Sequence, residues 1–129
     1  MKVAAKGAAI TLAVAALTQP LAARTRLDCS TTKVIIKSAP GGDKSVRIKE
    51  DMGFYIDDDT KTFTLSDGTP LRVSRFDASG ISAEHNDIQY EFNRSDGSLT
   101  YAGSTTAGST TTTIIGSGQC KAAATRTPN

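Results

Sequence analysis

From Thr31 onward, apolar and polar residues alternate in steps of two, and turn-forming residues interrupt the alternation about every ten residues. Val34 and Ile36 fall on one side of the first run, with Lys33, Ile35 and Lys37 on the other. Ala39-Pro40-Gly41-Gly42-Asp43 is a dense turn signal, after which Val46 and Ile48 alternate with Ser45, Arg47 and Lys49. Asp51-Met52-Gly53 reads as another turn before Phe54-Tyr55-Ile56. Strand-like runs follow at Thr62–Leu65, Leu71–Phe76, Ile81–His85, Ile88–Asn93, Leu99–Ala102 and Thr110–Ile115. That makes nine short strands, and no window has helical periodicity. So many strands, each with an apolar face and no helix to cover it, must curl up or form two layers. The sequence predicts an all-β, up-and-down antiparallel sheet of about eight to nine strands, strongly curled or barrel-like, with a two-layer sandwich as the alternative. The expected core is Val34, Ile36, Val46, Ile48, Phe54, Ile56, Phe63, Leu65, Leu71, Val73, Ile81, Ile88, Tyr90, Phe92, Leu99 and Tyr101.

Residues 1–23 read as a secretory leader and 24–129 as a single β-domain. Lys2 and Lys6 form a basic start, Ala8 to Leu17 an uncharged Ala-rich stretch, and Thr18-Gln19-Pro20 a helix break. Leu21-Ala22-Ala23 supplies small residues for cleavage between Ala23 and Arg24. The apolar stretch would cover only about 16 Å as a helix, roughly half a bilayer core. No membrane span is therefore expected once the leader is removed. Lys and Arg number 15 and Asp and Glu 13. Both surplus cations sit in the leader, so the remainder balances at zero. That balance argues against nucleic acid as a partner and against a polybasic membrane anchor.

Export gives the two cysteines a meaning. Cys29 and Cys120 stand near the two ends of the domain, and in an oxidising compartment the default for such a pair is a disulfide. Closing so long a loop is worth about 4–5 kcal/mol in the chain-entropy account. It also requires the first and last strands to be neighbours or to lie face to face. The expected location is periplasmic or extracellular.

Two segments repeat at an offset of 36 residues. Phe54-Tyr55-Ile56-Asp57 matches Tyr90-Glu91-Phe92-Asn93, and Phe63-Thr64-Leu65 matches Leu99-Thr100-Tyr101. Asp57 and Asn93 each end a strand, where an Asx side chain can bond the backbone of the following turn. Either duplication or one steric problem solved twice explains the match. The second copy, Ile88 to Leu99, also resembles an aromatic-x-Ile-Asp-Arg-x-Thr-Gly-x-apolar hairpin. In short exported proteobacterial β-proteins of unknown function that hairpin precedes a Gly-x-Cys, as Gly118-Gln119-Cys120 does here. The resemblance covers about residues 54–120, with Asn93 in place of Asp and Asp96 in place of Thr. It implies an exported β-protein and supplies no activity.

Candidate chemistry is sparse. Asp57-Asp58-Asp59 does not continue as a calcium loop, since its fifth and twelfth positions are Lys61 and Gly68. It reads as a solvated hairpin turn. His85 is the sole imidazole, and no serine lies in Gly-x-Ser-x-Gly. Gly103–Thr113 reads as an exposed Thr-rich hairpin with its tip at Ala107-Gly108. Asn93-Arg94-Ser95 is a formal glycosylation sequon, which matters only in a eukaryotic secretory route. Tyr55 and Phe76 are out of phase with their neighbours. They mark a binding surface, a second sandwich face, or a bulge. The expected function is a non-catalytic binding or structural module without cofactor or metal. Its partner would be a protein, an envelope polymer or a small ligand. A lipocalin-like carrier of an apolar guest is the alternative, and a small hydrolase using His85 ranks third. A non-reducing peptide map is expected to recover Cys29 and Cys120 in one linked peptide; free thiols at both would remove the covalent staple.

Overall fold

A computed structural model describes residues 24–123. Residues 1–23, expected as a leader with cleavage between Ala23 and Arg24, and the last six residues lie outside the described residues. The strands are β1 (Arg24–Ala39), β2 (Gly42–Asp57), β3 (Thr62–Leu65), β4 (Arg72–Phe76), β5 (Gly80–His85), β6 (Ile88–Asn93), β7 (Ser98–Ala107) and β8 (Thr110–Ala122). They form one antiparallel sheet in the order β3-β2-β1-β8-β7-β6-β5-β4. This is an up-and-down meander joined end to end by β1 and β8. Its single seam lies between β3 and β4, where a Thr64–Pro70 bridge and the bond from the Leu71 amide to the Phe63 carbonyl draw the edges together. The sheet is thus a nearly closed barrel rather than a sandwich. Cys29 and Cys120 face each other across β1 and β8 and are bonded. The sulfur staple therefore sits on the joint that turns a sheet into a barrel.

The lumen is filled by rings. Phe54 and Phe63 stack at 4.8 Å, Phe54 meets Tyr90 edge-on at 6.0 Å, and Tyr90 stacks on Tyr101 at 5.7 Å. Phe92 extends the column beyond Phe63. Such pairs add about 0.5–1.5 kcal/mol each beyond the area they bury. Glycine makes room for one of the rings. The Tyr101 ring lies where a side chain at Gly116 would stand, and Gly118 abuts the Ser30 carbonyl and Thr31.

The repeat is structural. In the first copy Phe54 pairs with Leu65 and Ile56 with Phe63. In the second, Tyr90 pairs with Tyr101 and Phe92 with Leu99, in the same register. Asp57 Oδ1 accepts the Asp59 and Thr60 amides, as Asn93 Oδ1 accepts those of Ser95 and Asp96. The turns also share a left-handed residue, Lys61 (φ 55°) in one and Gly97 (φ 77°) in the other. The copies touch, because Arg94 forks onto both carboxylate oxygens of Asp58 at 2.9 and 3.2 Å.

Three expectations need correction. Asp51-Met52-Gly53 is not a turn. β2 runs straight through it, which reduces nine strands to eight. Gly53 marks a close approach instead, with the Arg26 guanidinium and Ser66 packed where its side chain would be. Second, Val34, Ile36, Val46 and Ile48 are not core. Val34 and Ile36 lie on the outer face, whereas Leu27, Cys29 and Thr31 of β1 point inward and are buried. Val46 and Ile48 do lie on the barrel-side face, but above the barrel, and are 52% and 36% exposed. Third, a bulge between Val73 and Arg75 shifts the phase of β4, so Phe76 pairs with fully buried Ile81 and packs on the core. The register shift in β4 accounts for the phase of Phe76.

The two turns generate a paired prediction. Lys61→Gly relieves a left-handed lysine and is expected to stabilise by about 0.5–1 kcal/mol. Gly97→Ala strains the backbone and drives a methyl toward the Cys120 carbonyl, so it is expected to cost about 2 kcal/mol or more. Urea denaturation of the two variants checks the opposite signs.

Candidate binding face

Strand length positions the site. β1 and β2 have 16 residues each, whereas β3 to β6 have four to six. At about 3.3 Å per residue the long strands reach roughly 50 Å and overshoot the barrel wall. β3 pairs with β2 only from Phe54 to Asp57, and β6 leaves β7 at Gly103. Above those points β2, β1, β8 and β7 continue as a four-stranded arm with two open edges.

The register places the barrel-side face of the arm in rows. Nearest the tip, Lys44, Lys37, Thr112 and Thr105 lie side by side. The next row is Val46, Ile35, Ile114, Gly103 and Ile88. Below it come Ile48, Lys33, Gly116 and Tyr101. The opposite face carries Val34, Ile36 and Ile115 with Arg47 and Lys49. The large hydrophobics exposed among the described residues are Val46, Ile48 and Ile115, and all belong to the arm.

Charge divides the same way. From Thr32 to Lys49 the arm carries Lys33, Lys37, Lys44, Arg47 and Lys49 against Asp43 alone. Ala102 to Ser117 is uncharged, so the barrel holds the negative excess. Four arginines of the barrel have acidic partners, Arg26 with Asp28, Arg72 with Glu84, Arg75 with Asp77 and Glu91, and Arg94 with Asp58, whereas Arg24, Lys61 and Lys121 have none among the described residues. Among the described residues, Lys37, Lys44, Arg47 and Lys49 have none. Lys37 and Lys44 are moreover direct cross-strand partners. Like charges so placed destabilise a sheet.

At the root of the arm a half-buried polar cluster separates this face from the ring column. Lys33 Nζ lies 3.0 Å from Glu50 Oε1, to which the Tyr101 hydroxyl donates at 3.3 Å. Thr31 Oγ1 donates to the Glu50 carbonyl at 3.0 Å and lies 3.3 Å from the Tyr101 hydroxyl. Burial pushes the Tyr101 phenol above its ordinary pKa, which keeps it a donor. The cluster closes the upper mouth of the barrel.

The residues singled out in the sequence lie elsewhere and are not brought together. The Tyr55 ring is covered by the Arg24 and Arg26 guanidinium groups at 4.4 and 5.3 Å, and Arg26 donates to its hydroxyl. Phe76 lies at the lower mouth under Lys61 and Arg94, beside a shallow depression of about 310 Å³ that Asp58 and Asp77 also line. Arg94 is already engaged by Asp58 there. Asp77 Oδ1 accepts from the Ser79 hydroxyl at 2.7 Å and from the Ser79 and Gly80 amides. These bonds, led by the Ser79 hydroxyl and joined by Arg75, hold its carboxyl far below the usual carboxylate range. His85 ends β5 opposite Ile88, before the left-handed pair Asn86 and Asp87. No hydrogen bond among the described residues reaches its imidazole. Nor do three His, Cys, Asp or Glu side chains converge among the described residues to hold a metal. Among the described residues no helix is long and apolar enough to cross a membrane. Compared with known proteins, the chain matches no family model, no curated relative and no solved structure.

Depressed carboxylates tie stability to acidity. Thr69 and Ser98, chiefly through their amides, likewise lower Asp67 and Asp96. A lowered folded pKa contributes stability above the unfolded value, about 4, which is lost as pH falls through the folded one. The urea midpoint is expected to stay flat from about pH 7 to 5 and drop below about pH 4. Asp77→Asn should show a lower midpoint at neutral pH and a shallower acid fall; a profile identical to wild type would contradict the role given to Asp77.

Proposed function

We propose that this protein is an exported, non-catalytic binding module, in which a rigid barrel presents the arm as its recognition element. The observation that carries the reading is the coincidence, on one projecting sheet, of exposed Val46 and Ile48 on the barrel-side face and Ile115 on the other with cations that have no acidic partner. Exposed apolar groups of this size work against solubility and facing like charges against folding, and proteins retain such features where something covers them. The bonded cysteines and the leader-like first 23 residues support export to the periplasm or beyond. The ring column occupies the space that a carried guest would need, which favours this reading over a lipocalin-like carrier. Arg94 and Gly97 of the resembled hairpin hold the barrel together, Arg94 by its fork on Asp58 and Gly97 by its carbonyl, which accepts the Cys120 amide at 2.8 Å. That arrangement suits a scaffold motif within a group of exported β-proteins.

The test is a photoreactive benzoylphenylalanine placed at Val46 or, as the barrel control, at Thr100, each irradiated in the exported fraction of a producing cell. Adducts are expected from position 46 and not from position 100. Adducts from position 100 alone, or from neither, would overturn the assignment of the arm.

A further inference from the structure

We propose that the barrel-side face of the arm binds an anionic single-chain amphiphile, with its phosphate or carboxylate head between Lys37 and Lys44 and its chain along Val46, Ile35 and Ile114 toward Ile48. The inference rests on the arm being the recognition element and adds the chemistry of what it recognises.

Order along the strands carries the argument. The Lys37–Lys44 pair stands at the tip side with Thr112 in the same row. Two ammonium groups facing each other without an acid repel, and an anion between them turns repulsion into two charge-assisted contacts. The Thr112 hydroxyl can add a donor to the same head. One row nearer the barrel the face becomes aliphatic, and Ile114 packs against the core while Val46 stays half exposed. From the Lys37 row to the Lys33 row is four residues of β1, about 13 Å, the reach of a medium-length acyl chain. Lys33 is held by Glu50 at the far end, so the face offers one free cationic station and then an apolar track. A head-and-tail molecule has that polarity.

Other anions fit less well. A nucleic acid or a soluble polyanion uses a run of cations, whereas here aliphatic rows interrupt them. A flat bilayer meets the tip first, with Lys37 and Lys44 ahead of the aliphatic rows, which reverses the order in which a membrane presents charge and hydrocarbon. Net neutrality excluded a uniformly basic protein but concealed this local separation.

The experiment titrates the full-length chain calorimetrically with dodecyl phosphate below its micelle concentration. Dodecylphosphocholine and inorganic phosphate serve as the zwitterionic and tail-less arms, and anionic phospholipid vesicles as the membrane arm. Dodecyl phosphate is expected to bind at least about tenfold tighter than either small-molecule control, since each lacks one half of the recognition. Lys37→Gln with Lys44→Gln should weaken dodecyl phosphate about tenfold or more while leaving Tm unchanged or raised, because the like-charge pair is gone. Val46→Ser with Ile48→Ser should weaken it comparably and leave any residual phosphate binding intact. Residues 1–23 are the same in every variant, so differences between the variants report on the arm. Equal affinity for dodecyl phosphate and dodecylphosphocholine, phosphate binding as tightly as dodecyl phosphate, or an unaffected lysine variant would each overturn the proposal. So would binding to vesicles alone. A polypeptide cross-linked at position 46 together with no amphiphile binding would retire the ligand class and keep the arm.

Discussion

The joint between β1 and β8 decides what the rest of the molecule can be. Twelve residue pairs run along it, from Leu27–Ala122 to Ser38–Thr111, and the sulfur bridge pins the pair Cys29–Cys120 in register. A slip of one residue would swap the inward and outward faces of one strand against the other, and on β1 it would put Leu27 in water. Because these are the terminal strands, the same joint closes the meander and leaves only the short β3–β4 seam. Closure in turn creates the lumen that the rings fill. The Tyr101 ring lies over its cross-strand neighbour Gly116, in the space that a side chain there would take.

The paired hairpins show how one solution can serve twice. They lie four strands apart around the barrel and send Phe54, Ile56 and Phe63, and Tyr90, Phe92 and Leu99, into the same core from opposite sides. Their turns share an Asx acceptor and a left-handed fifth residue. They differ in what surrounds that residue. Lys61 is exposed and its side chain reaches over the Phe76 ring, whereas Gly97 is pressed against the strand that bears Cys120.

Much of this fold was legible in the sequence, and the reasons are local. Period-two alternation, Asx-bearing turns, the offset of 36 and the cysteine pair are near-neighbour or covalent signals, and each holds in the structure. What escaped depends on a third dimension. Alternation at Val46 and Ile48 correctly reports a face, but not whether a second wall stands across from it, and there the short strands have already ended. In Thr31–Ser38 both faces carry aliphatic residues, so pattern alone does not choose Ile35 over Val34 and Ile36; the buried Cys29, two residues before Thr31, sets the phase. The bulge that turns Phe76 inward leaves no composition mark beyond Ser74. The arm itself was hidden by summed charge. Its signal was available as five cations against one acid from Lys33 to Lys49, followed later by an uncharged Thr-rich hairpin, which hydrogen bonding places alongside.

Both described ends of the chain leave the barrel at its lower rim. β1 begins beside Asp57 and β8 finishes beside Leu27, while the arm tip at Gly41-Gly42 and Gly108-Ser109 is at the far pole. The molecule is therefore built like a hand on a wrist. An attachment made at either described end, Arg24 or Ala123, starts behind the palm, on the rim away from the fingers.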